Sequence, residues 1–485
     1  MEELAPATIL SMAVSFQFEQ CVAFERDRAA EILRAIPALP GVFALRGTSV
    51  EAQPYLTRAA DLRRRIARML APAEISAEGV PVQSKRLNLR GRVAWIEYSV
   101  TGSEFESRLT LYRAAAIYGL AEARRRLRLH TPFFLRFTAE NAFPRVYSTN
   151  RLSRRALSNF YGPFPSRAAA DRYCDAVLDL FKLRRCSEEL APYPEHPGCV
   201  YQEMKKCLAP CNQACTAEGA AAYSAEAAAV EAFFETRGES LLGELTAQRE
   251  EASAEMEFEQ AAQIHAQVLR VKAAAQLADE LVRSIPRLRA VIVQAAAEAE
   301  GDAAAAVFLI EGGALVGPAR LSTLGVRAVK EQTEVGSSLF AQPLMLQAVP
   351  LAEPETGASA TTPSSTESPV QNPEERAAHV LGELAARVMP IGSAMDLATL
   401  SDHLSLLRRW YYRPEKQRVG EIFFSREDGT WPIRRILRGA ARMALGDLRR
   451  TEEPAIQTGP VSAEKNEQQQ ATESTDTLPP ACIAP

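Results

Sequence analysis

The sequence predicts a multidomain α+β protein, and three observations carry that prediction. Short strand patterns alternate with amphipathic helices over residues 38–135, the stretch 218–284 is almost entirely helical, and strand patterns return over 289–322. The chain has 485 residues and is 47% hydrophobic. That length and composition suffice for several domains with their own cores.

In the first of these regions, the prolines of IPALPG end an initial helix, and GVFALRG (41–47) has the composition of a strand. A basic amphipathic helix is predicted over 58–70. Two alternating runs joined at Gly91 predict a hairpin, and a single long helix is expected over 104–128.

These patterns, with the composition changes further on, divide the chain into successive segments. In order, they are an N-terminal helical arm (1–37), a small α/β domain (38–135), a basic cysteine-rich domain (140–216), a helical region (217–285) with a hairpin at 246–281, a β-rich segment (286–345), a disordered linker (349–375), a small α/β segment (376–447) and a disordered tail (448–485).

Charge is distributed unevenly, although the formal net charge is only −4. Fifteen Lys/Arg and five Asp/Glu lie between Arg113 and Cys186, whereas Thr451 to Pro485 carries six acidic residues and one lysine. A basic block with acidic, polar ends is typical of a core that binds a polyanion such as DNA. No apolar run reaches the length of a membrane span, so we expect a cytoplasmic protein without a membrane partner.

Six of the eight cysteines lie within 174–215, in a stretch rich in Pro, Glu and Lys. Four of them, Cys186, Cys199, Cys207 and Cys211, can converge once the loop folds back. Thiolates select zinc or an iron–sulfur cluster, and four of them complete either site. The spacing does not separate the two, because the paired C-x2-C knuckles usual in zinc ribbons are absent. The alternative to a metal site is that these cysteines are buried in a core as small apolar side chains.

Two further side chains, Cys215 and His196, are near enough in sequence to be alternative ligands. Cys174 lies inside a helix pattern beside Tyr173, and we expect it in the core.

Two stretches, one around the cysteines and one in the helical region, resemble segments of a known protein family. FPRVYSTNRLSRRALSNFYGPFPSRAAADRYCDAVLDLFKLRRC, followed by CVYQEMKKCLAPC, resembles the middle of the UvrC component of excinuclease ABC, and EEASAEMEFEQAAQIHAQVLRVK resembles that family's UVR hairpin. The resemblance implies a [4Fe–4S] cluster on the four cysteines, with zinc as the alternative. It also implies two partners, double-stranded DNA with damage and the excinuclease component UvrB. Arg154 and Arg155 of the basic stretch are the expected DNA contacts.

Upstream, PGVF, PYLTRAADLRRRI and VTGSEFESRLTLY resemble the family's GIY-YIG nuclease domain. Such a nuclease needs a phenol near the attacking water, an arginine on the scissile phosphate and a carboxylate for Mg²⁺ or Mn²⁺. Carried over position by position, three catalytic residues are retained: Tyr55, Arg58 (a cation in place of lysine) and Arg65. Four family positions are lost: Phe43 replaces a tyrosine, Thr57 a glycine, Met69 a tyrosine and Leu111 the metal-binding glutamate.

Leucine cannot ligate a hard divalent cation, so we expect incision by this domain to be lost or impaired. Mg²⁺ or Mn²⁺ is expected only if the site is active. The basic helix, with Arg63 and Arg64, would still bind phosphates. A solvated charged face is its alternative interpretation.

In the UVR-like stretch, Phe258, Ala261, Ile264 and Val268 recur at helical spacing and form one apolar face. A lone helical hairpin has too little core to bury such a face, which favours docking on UvrB over core packing.

The patterned residues after the linker are too few for the family's RNase H-like nuclease and helix-hairpin-helix module. Asp402 and His403 are expected at the surface or at a helix cap. The segment RRWYYRPEKQR (408–418) mixes aromatic and basic residues. Its aromatic rings could stack on bases or sugars, or Trp410 and its neighbours could form a small core. The sequence leaves both interpretations open.

Three functional hypotheses follow. The first is a UvrC-like protein of nucleotide excision repair that binds DNA and docks on UvrB, with 3′-side incision lost or impaired. The second is an active single-site GIY-YIG endonuclease that makes one incision near a lesion. The third is an iron–sulfur DNA-binding adaptor without nuclease activity.

Overall fold

The computed structural model describes residues 16–49, 52–72, 87–297, 303–326, 372–389 and 395–445. Three predicted features fall wholly or mostly outside these residues: the tail (448–485), the linker (349–375) and the end of the β-rich segment (327–345).

An antiparallel sheet organises the N-terminal part of the chain. Its elements are β1 (Gln20–Ala23), α1 (Ala29–Ala35), β2 (Gly41–Arg46), β3 (Tyr55–Ala59), α2 (Leu62–Met69), β4 (Trp95–Val100), α3 (Glu104–Ala116) and α4 (Leu120–Leu127). The strand order is β1-β4-β2-β3. Because β1 pairs with β4, the predicted arm and the α/β domain share one sheet. Strand β2 is buried on both faces, with Val42 in one core and Phe43 in another.

Two local expectations for this region are wrong. The hairpin predicted at Gly91 does not form among the described residues, because β4 pairs instead with β1 and β2. The single helix predicted over 104–128 is two helices, α3 and α4. Gly119 separates them with φ of +108°, a backbone conformation that is incompatible with a continuing α-helix.

The middle of the chain forms a second antiparallel sheet covered by helices. Its elements are β5 (Phe133–Phe137), β6 (Val146–Thr149), a 3-10 helix (Arg154–Asn159), β7 (Phe160–Phe164), α5 (Arg167–Leu178), α6 (Val200–Glu203), α7 (Pro210–Gln213), α8 (Ala217–Thr236), α9 (Glu239–Ala254), α10 (Phe258–Ala275) and β8 (Arg283–Ser284). The strand order is β6-β5-β7-β8. Tyr173 of α5, Phe233 of α8 and Val268 of α10 share one core, so the cysteine-rich domain and the helical region fold together.

The remaining described residues form a third antiparallel sheet with three helices. The elements are a 3-10 helix (Ile285–Arg287), β9 (Arg289–Ala295), β10 (Ala304–Glu311), β11 (Ala314–Ser322), α11 (Pro373–Ala386), α12 (Leu397–Tyr411), a 3-10 helix (Glu415–Gln417), β12 (Glu421–Phe424) and α13 (Ile433–Ala444). The strand order is β11-β10-β9-β12. Because β12 pairs with β9, the segments predicted separately as 286–345 and 376–447 form one unit. Helix α11 begins at Pro373, inside the predicted linker, where Asn372 caps it.

The N-terminal sheet and the C-terminal unit share a core. The ring of Phe105 on α3 lies 5.2 Å from that of Phe308 on β10 and 5.6 Å from that of Trp410 on α12. A Cβ added at Gly102 would lie 2.3 Å from the carbonyl oxygen of Ala295, so only glycine permits this close approach. The predicted α+β class is confirmed. Among the described residues, no helix is both long and apolar enough to cross a bilayer.

Candidate nucleic-acid interface and cysteine site

The tyrosine positions of the nuclease-like domain lie on the β2–β3 hairpin and on α2. Phe43 faces Thr57 in the strand register and is fully buried. The half-buried ring of Tyr55 lies 6.3 Å from that of Phe43. Met69 is also buried in this core. Two positions that carry phenols in the resembled nuclease are therefore apolar side chains inside a core, and Tyr55 is the phenol that remains.

The metal-ligand position is apolar and enclosed. Leu111 is only 7% exposed and belongs to the core that α3 shares with β10 and α12. Two carboxylates lie in the first turn of α3, and both have protein partners. Glu104 is bound by arginines, and Glu106 is buried and accepts a hydrogen bond from the N–H of Gly102 at 2.9 Å.

Burial raises the pKa of Glu106 to about 7, and the nearby Glu19 raises it further, while the N–H of Gly102 and the guanidinium of Arg113 oppose the shift. An ordinary glutamate in an unfolded chain has a pKa of about 4.3. Between these two values the folded protein binds the proton more tightly than the unfolded chain. This carboxyl therefore reduces the free energy of unfolding as pH rises through that window.

We expect Glu106→Gln to remove this pH dependence while keeping the hydrogen bond from Gly102. Above pH 7 the variant should exceed the unmodified protein by roughly 3 kcal/mol in free energy of unfolding, and the difference should vanish near about pH 4. Urea unfolding at a series of pH values measures it. Glu259→Gln, at an exposed position on α10, is the control. An equal pH dependence for Glu106→Gln and the unmodified protein would contradict the expectation.

The predicted cations of this domain fall into two groups. Arg58 on β3 donates from Nη1 to Oε1 of Glu104 at 3.0 Å, and Arg63 donates from Nε to the carbonyl of Ile36 at 2.6 Å. Arg64 and Arg65 lie on the exposed face of α2. Exposed guanidinium groups are suited to phosphate contacts, whereas Arg58 already has a carboxylate partner.

The four predicted ligand cysteines lie in the loop between α5 and α8. Cys211 is buried in α7, Cys186 and Cys207 are half-buried, and Cys199 is exposed. Burial raises the pKa of Cys207 to about 11, and the charges of the other three candidate thiolates contribute in the same direction. Among the described residues, however, no three His, Cys, Asp or Glu side chains are arranged to hold a metal ion. The donor chemistry fits a soft metal or a cluster.

Arg184 and Tyr223 hold this loop against the middle domain. The hydroxyl of Tyr223 donates to the carbonyl of Pro144 at 2.7 Å and accepts from the N–H of Arg184 at 3.2 Å. Nη1 of Arg184 donates to the carbonyl of Glu188 at 2.7 Å and lies 3.5 Å from Sγ of Cys186. Donors to ligand sulfur are typical of metal–thiolate centres. Sequence reasoning missed Arg184, whose only signal was its position two residues before Cys186.

The remaining candidate ligands have separate environments. Cys174 is buried in the core of the middle domain, as predicted, and burial raises its pKa to about 12. Cys215 is exposed, and Nδ1 of His196 accepts a hydrogen bond from the N–H of Gly198 at 3.0 Å.

Two of the predicted DNA contacts, Arg154 and Arg155, lie on the 3-10 helix before β7. Both are exposed. The preceding Arg151 is exposed as well, so this short segment presents three arginines to solvent.

Helices α9 and α10 form the predicted antiparallel hairpin, with the turn at Met256, whose φ is +64°. The apolar face of α10 is divided. Ile264 and Val268 are buried in the core of the middle domain, where a partner cannot reach them, so their predicted docking role is corrected. Ala261 is half-buried against the same core, whereas Phe258 is 67% exposed. Met256, which sequence reasoning did not assign to the surface, is 76% exposed beside it.

The expectation that Asp402 and His403 lie at the surface or at a cap is wrong, since both are buried. Asp402 accepts from Nε of Arg124 at 2.7 Å and from the hydroxyl of Tyr112 at 3.1 Å, which ties α12 to α3 and α4. Nδ1 of His403 accepts from the N–H of Leu315 at 3.2 Å, and burial lowers the pKa of this imidazole to about 3. These two side chains form an internal polar link.

The aromatic run of α12 belongs to the core. Trp410 is buried, and its Nε1 donates to the carbonyl of Val419 at 2.9 Å. Tyr411 and Tyr412 pack against the same core, and the hydroxyl of Tyr412 donates to the carbonyl of Pro163 at 3.1 Å. Of the two interpretations left open by the sequence, core packing describes these rings.

The described residues therefore combine a sheet domain that carries a cysteine-rich loop with an antiparallel helical hairpin that follows it. Residues 133–233 match the family described as UvrC/Cho excinuclease, middle domain. Residues 239–274 match the UvrB/uvrC motif. The chain is therefore related to the UvrC family, and the two matched segments carry that relationship.

Several curated relatives bear the name UvrABC system protein C. The protein of Edwardsiella ictaluri is 26% identical over 252 residues, which cover 51% of this chain and 38% of the relative. That of Alcanivorax borkumensis is 30% identical over 193 residues, covering 39% and 30%. That of Symbiobacterium thermophilum is 25% identical over 291 residues, covering 59% and 43%. Each match spans less than half of the relative's own length. No solved structure matches the chain.

Proposed function

We propose that this protein acts in nucleotide excision repair, where it binds DNA and docks on UvrB, and that its N-terminal domain has lost or impaired 3′-side incision. The observation that carries the proposal is the matched middle domain followed directly by a UvrB/uvrC motif. The tip of that motif exposes Phe258, which suits a hairpin that recognises another protein.

DNA binding is supported by exposed arginines in two places. Arg154 and Arg155 project from the middle domain, and Arg64 and Arg65 project from α2. Contacts of this kind are made to the phosphate backbone, and they give affinity without base specificity. Double-stranded DNA is therefore the proposed ligand, with damage in it recognised together with UvrB.

The four loop cysteines are proposed to hold a [4Fe–4S] cluster, with zinc as the alternative metal. Cys186, Cys199, Cys207 and Cys211 would supply the thiolates, and Arg184 would donate to the sulfur of Cys186. A bound cluster would supply a rigid covalent cross-link for the loop. The loop itself is held to the middle domain by Tyr223 and Arg184.

Loss of incision is supported by the core positions of Phe43 and Leu111. A nuclease of this type without a metal-binding carboxylate lacks the electrostatic contribution of the metal ion to the transition state. These observations weigh against the hypothesis of an active single-site endonuclease.

We expect the purified protein, with Mg²⁺ or Mn²⁺, to bind a damaged duplex without nicking it, both alone and with UvrB. Gel analysis of a supercoiled plasmid and of an end-labelled damaged duplex measures this. Tyr55→Phe should leave the result unchanged. Leu111→Glu is not expected to restore incision, because it places a carboxylate in an apolar core. Metal-dependent nicking that disappears in Tyr55→Phe would refute the loss of activity and favour the single-site endonuclease.

A further inference from the structure

Three arginines from different parts of the chain converge on the carboxylate of Glu104. Nη1 of Arg58 on β3 lies 3.0 Å from Oε1, Nη2 of Arg108 on α3 lies 2.7 Å from Oε1, and Nη1 of Arg413, just after α12, lies 2.6 Å from Oε2. The hydrogen bond from Arg413, followed by that from Arg108 and the charges of both arginines, holds the pKa of Glu104 well below its usual range, although burial opposes this shift. One carboxylate therefore serves three cations.

Arg409 adds a fourth cation to this group. Its Nη1 donates to the carbonyl of Leu127 at 2.7 Å and its Nη2 to that of Arg128 at 3.1 Å. Burial lowers the pKa of Arg409, and the like charges of neighbouring arginines, among them Arg108, Arg413 and Arg58, lower it further. We refer to Arg58, Arg108, Arg409 and Arg413 as the arginine cluster.

In the described part of the structure, the arginine cluster places four positive charges around one paired carboxylate, that of Glu104. Three of its four guanidinium groups share the carboxylate of Glu104, while the hydrogen-bond partners of Arg409 are the neutral carbonyls of Leu127 and Arg128. Like charges at such short range repel one another, and a bound anion relieves that repulsion. The side chains of Arg58 and Glu104 are 41% and 39% exposed, so an anion from solvent can reach the cluster. Planar guanidinium groups match the oxygens of phosphate in pairs.

We propose that the arginine cluster binds the phosphate backbone of a nucleic-acid strand, and that the N-terminal domain and the C-terminal unit build this site together. The proposal rests on the proposed DNA-binding function and assigns a part of it to the C-terminal unit. One phosphate of a strand can replace the carboxylate of Glu104 at the three converging arginines, and the phosphates on either side bring further negative charge to the cluster. Within RRWYYR, Arg409 and Arg413 would contact the ligand, while the aromatic rings pack in or against the core.

Glu104 would compete with the phosphates of that strand for the guanidinium donors of the arginine cluster. It occupies the donors of three cluster arginines when no phosphate is present. Glu104→Gln removes its charge and releases those donors, so the cluster proposal expects this variant to bind DNA more tightly than the unmodified protein. Loss of a merely structural ion pair predicts no such gain.

The test is the affinity of the full chain for a fluorescein-labelled duplex, measured by anisotropy over a series of KCl concentrations. Arg58→Gln/Arg413→Gln should bind about 10-fold more weakly, and the slope of log affinity against log salt should flatten by about 0.9 for each phosphate that is no longer neutralised. Glu104→Gln should bind about 3-fold more tightly, with a steeper slope. Arg28→Gln is the matched control, because Arg28 is exposed and paired with Glu25 and Glu31. Its affinity should not change.

Circular dichroism confirms that each variant is folded. If the double variant is unfolded, the DNA affinities of Arg413→Gln and Glu104→Gln are used to test the proposal instead. Unchanged affinity in the cluster variants, with weaker binding by Arg154→Gln/Arg155→Gln, would overturn the cluster and leave the proposed function intact. Failure of the unmodified protein to bind DNA would overturn both. Cluster-dependent thermal stabilisation by inorganic pyrophosphate without any change in DNA affinity would identify a small-anion site and also overturn the proposal.

Discussion

Replacing Phe258 by alanine is expected to weaken the proposed binding to UvrB by about 100-fold. The ring is 67% exposed at the tip of the α9–α10 hairpin, next to Met256, which is 76% exposed. Aromatic side chains that become buried at the centre of an interface commonly contribute about 2–4 kcal/mol when truncated, which corresponds to roughly 30- to 1000-fold in affinity. The fold of the hairpin should survive, because Ile264 and Val268 hold α10 in the core.

Isothermal titration of UvrB into the full chain measures this effect, with thermal unfolding as the check on folding. Leu269→Ala is the matched control. Leu269 is an exposed apolar residue on the same helix, about three turns from the tip, and is 54% exposed. Equal affinities for Phe258→Ala and the unmodified protein would remove the tip from the interface. A similar loss in both variants would place the partner along the whole helix.

The sequence predicted those parts of the fold and site that depend on residues close together along the chain. The α9–α10 hairpin, the placement of Cys174 in a helix core and the α+β class follow from local periodicity and composition. The resemblance of the middle region is likewise a matter of contiguous motifs. Its relationship to the UvrC family is confirmed by the matches over 133–233 and 239–274.

What the sequence could not predict depends on contacts between distant segments. Nothing local indicates that Asp402 meets Arg124, or that β12 pairs with β9 across the predicted linker. The interpretation of Asp402 as a surface residue failed because an isolated carboxylate is usually exposed unless it is paired, and its partner lies far away in sequence.

The division of the apolar face of α10 has the same origin. Helical periodicity identifies the apolar face of a helix, but it does not indicate whether the protein's own core or a partner covers that face. Here the middle domain covers Ile264 and Val268, and the tip with Phe258 extends beyond it. Core packing therefore describes one end of the helix, and the other end is left open to a partner.

Replacing Cys207 by serine is expected to abolish binding of the proposed cluster and to loosen the cysteine loop. Cys207 is half-buried, and its Sγ accepts a hydrogen bond from the N–H of Ala209 at 3.3 Å. A serine oxygen is a hard donor and a poor substitute for thiolate on iron, so the remaining three thiols should not retain a complete cluster. Because metal binding to such a loop contributes to its folding, proteolysis within 186–211 should become faster.

Protein purified without oxygen should contain about four iron atoms per chain and absorb visible light, and Cys207→Ser should lose both properties. Two control variants separate ligands from neighbours: Cys174→Ala, at a core position, and Cys215→Ser, at an exposed one, should keep the iron. Stoichiometric zinc without iron in the unmodified protein would replace the cluster with a zinc site. Absence of any metal, with equal proteolysis of Cys207→Ser and the unmodified protein, would show that the loop depends on Arg184 and Tyr223 alone.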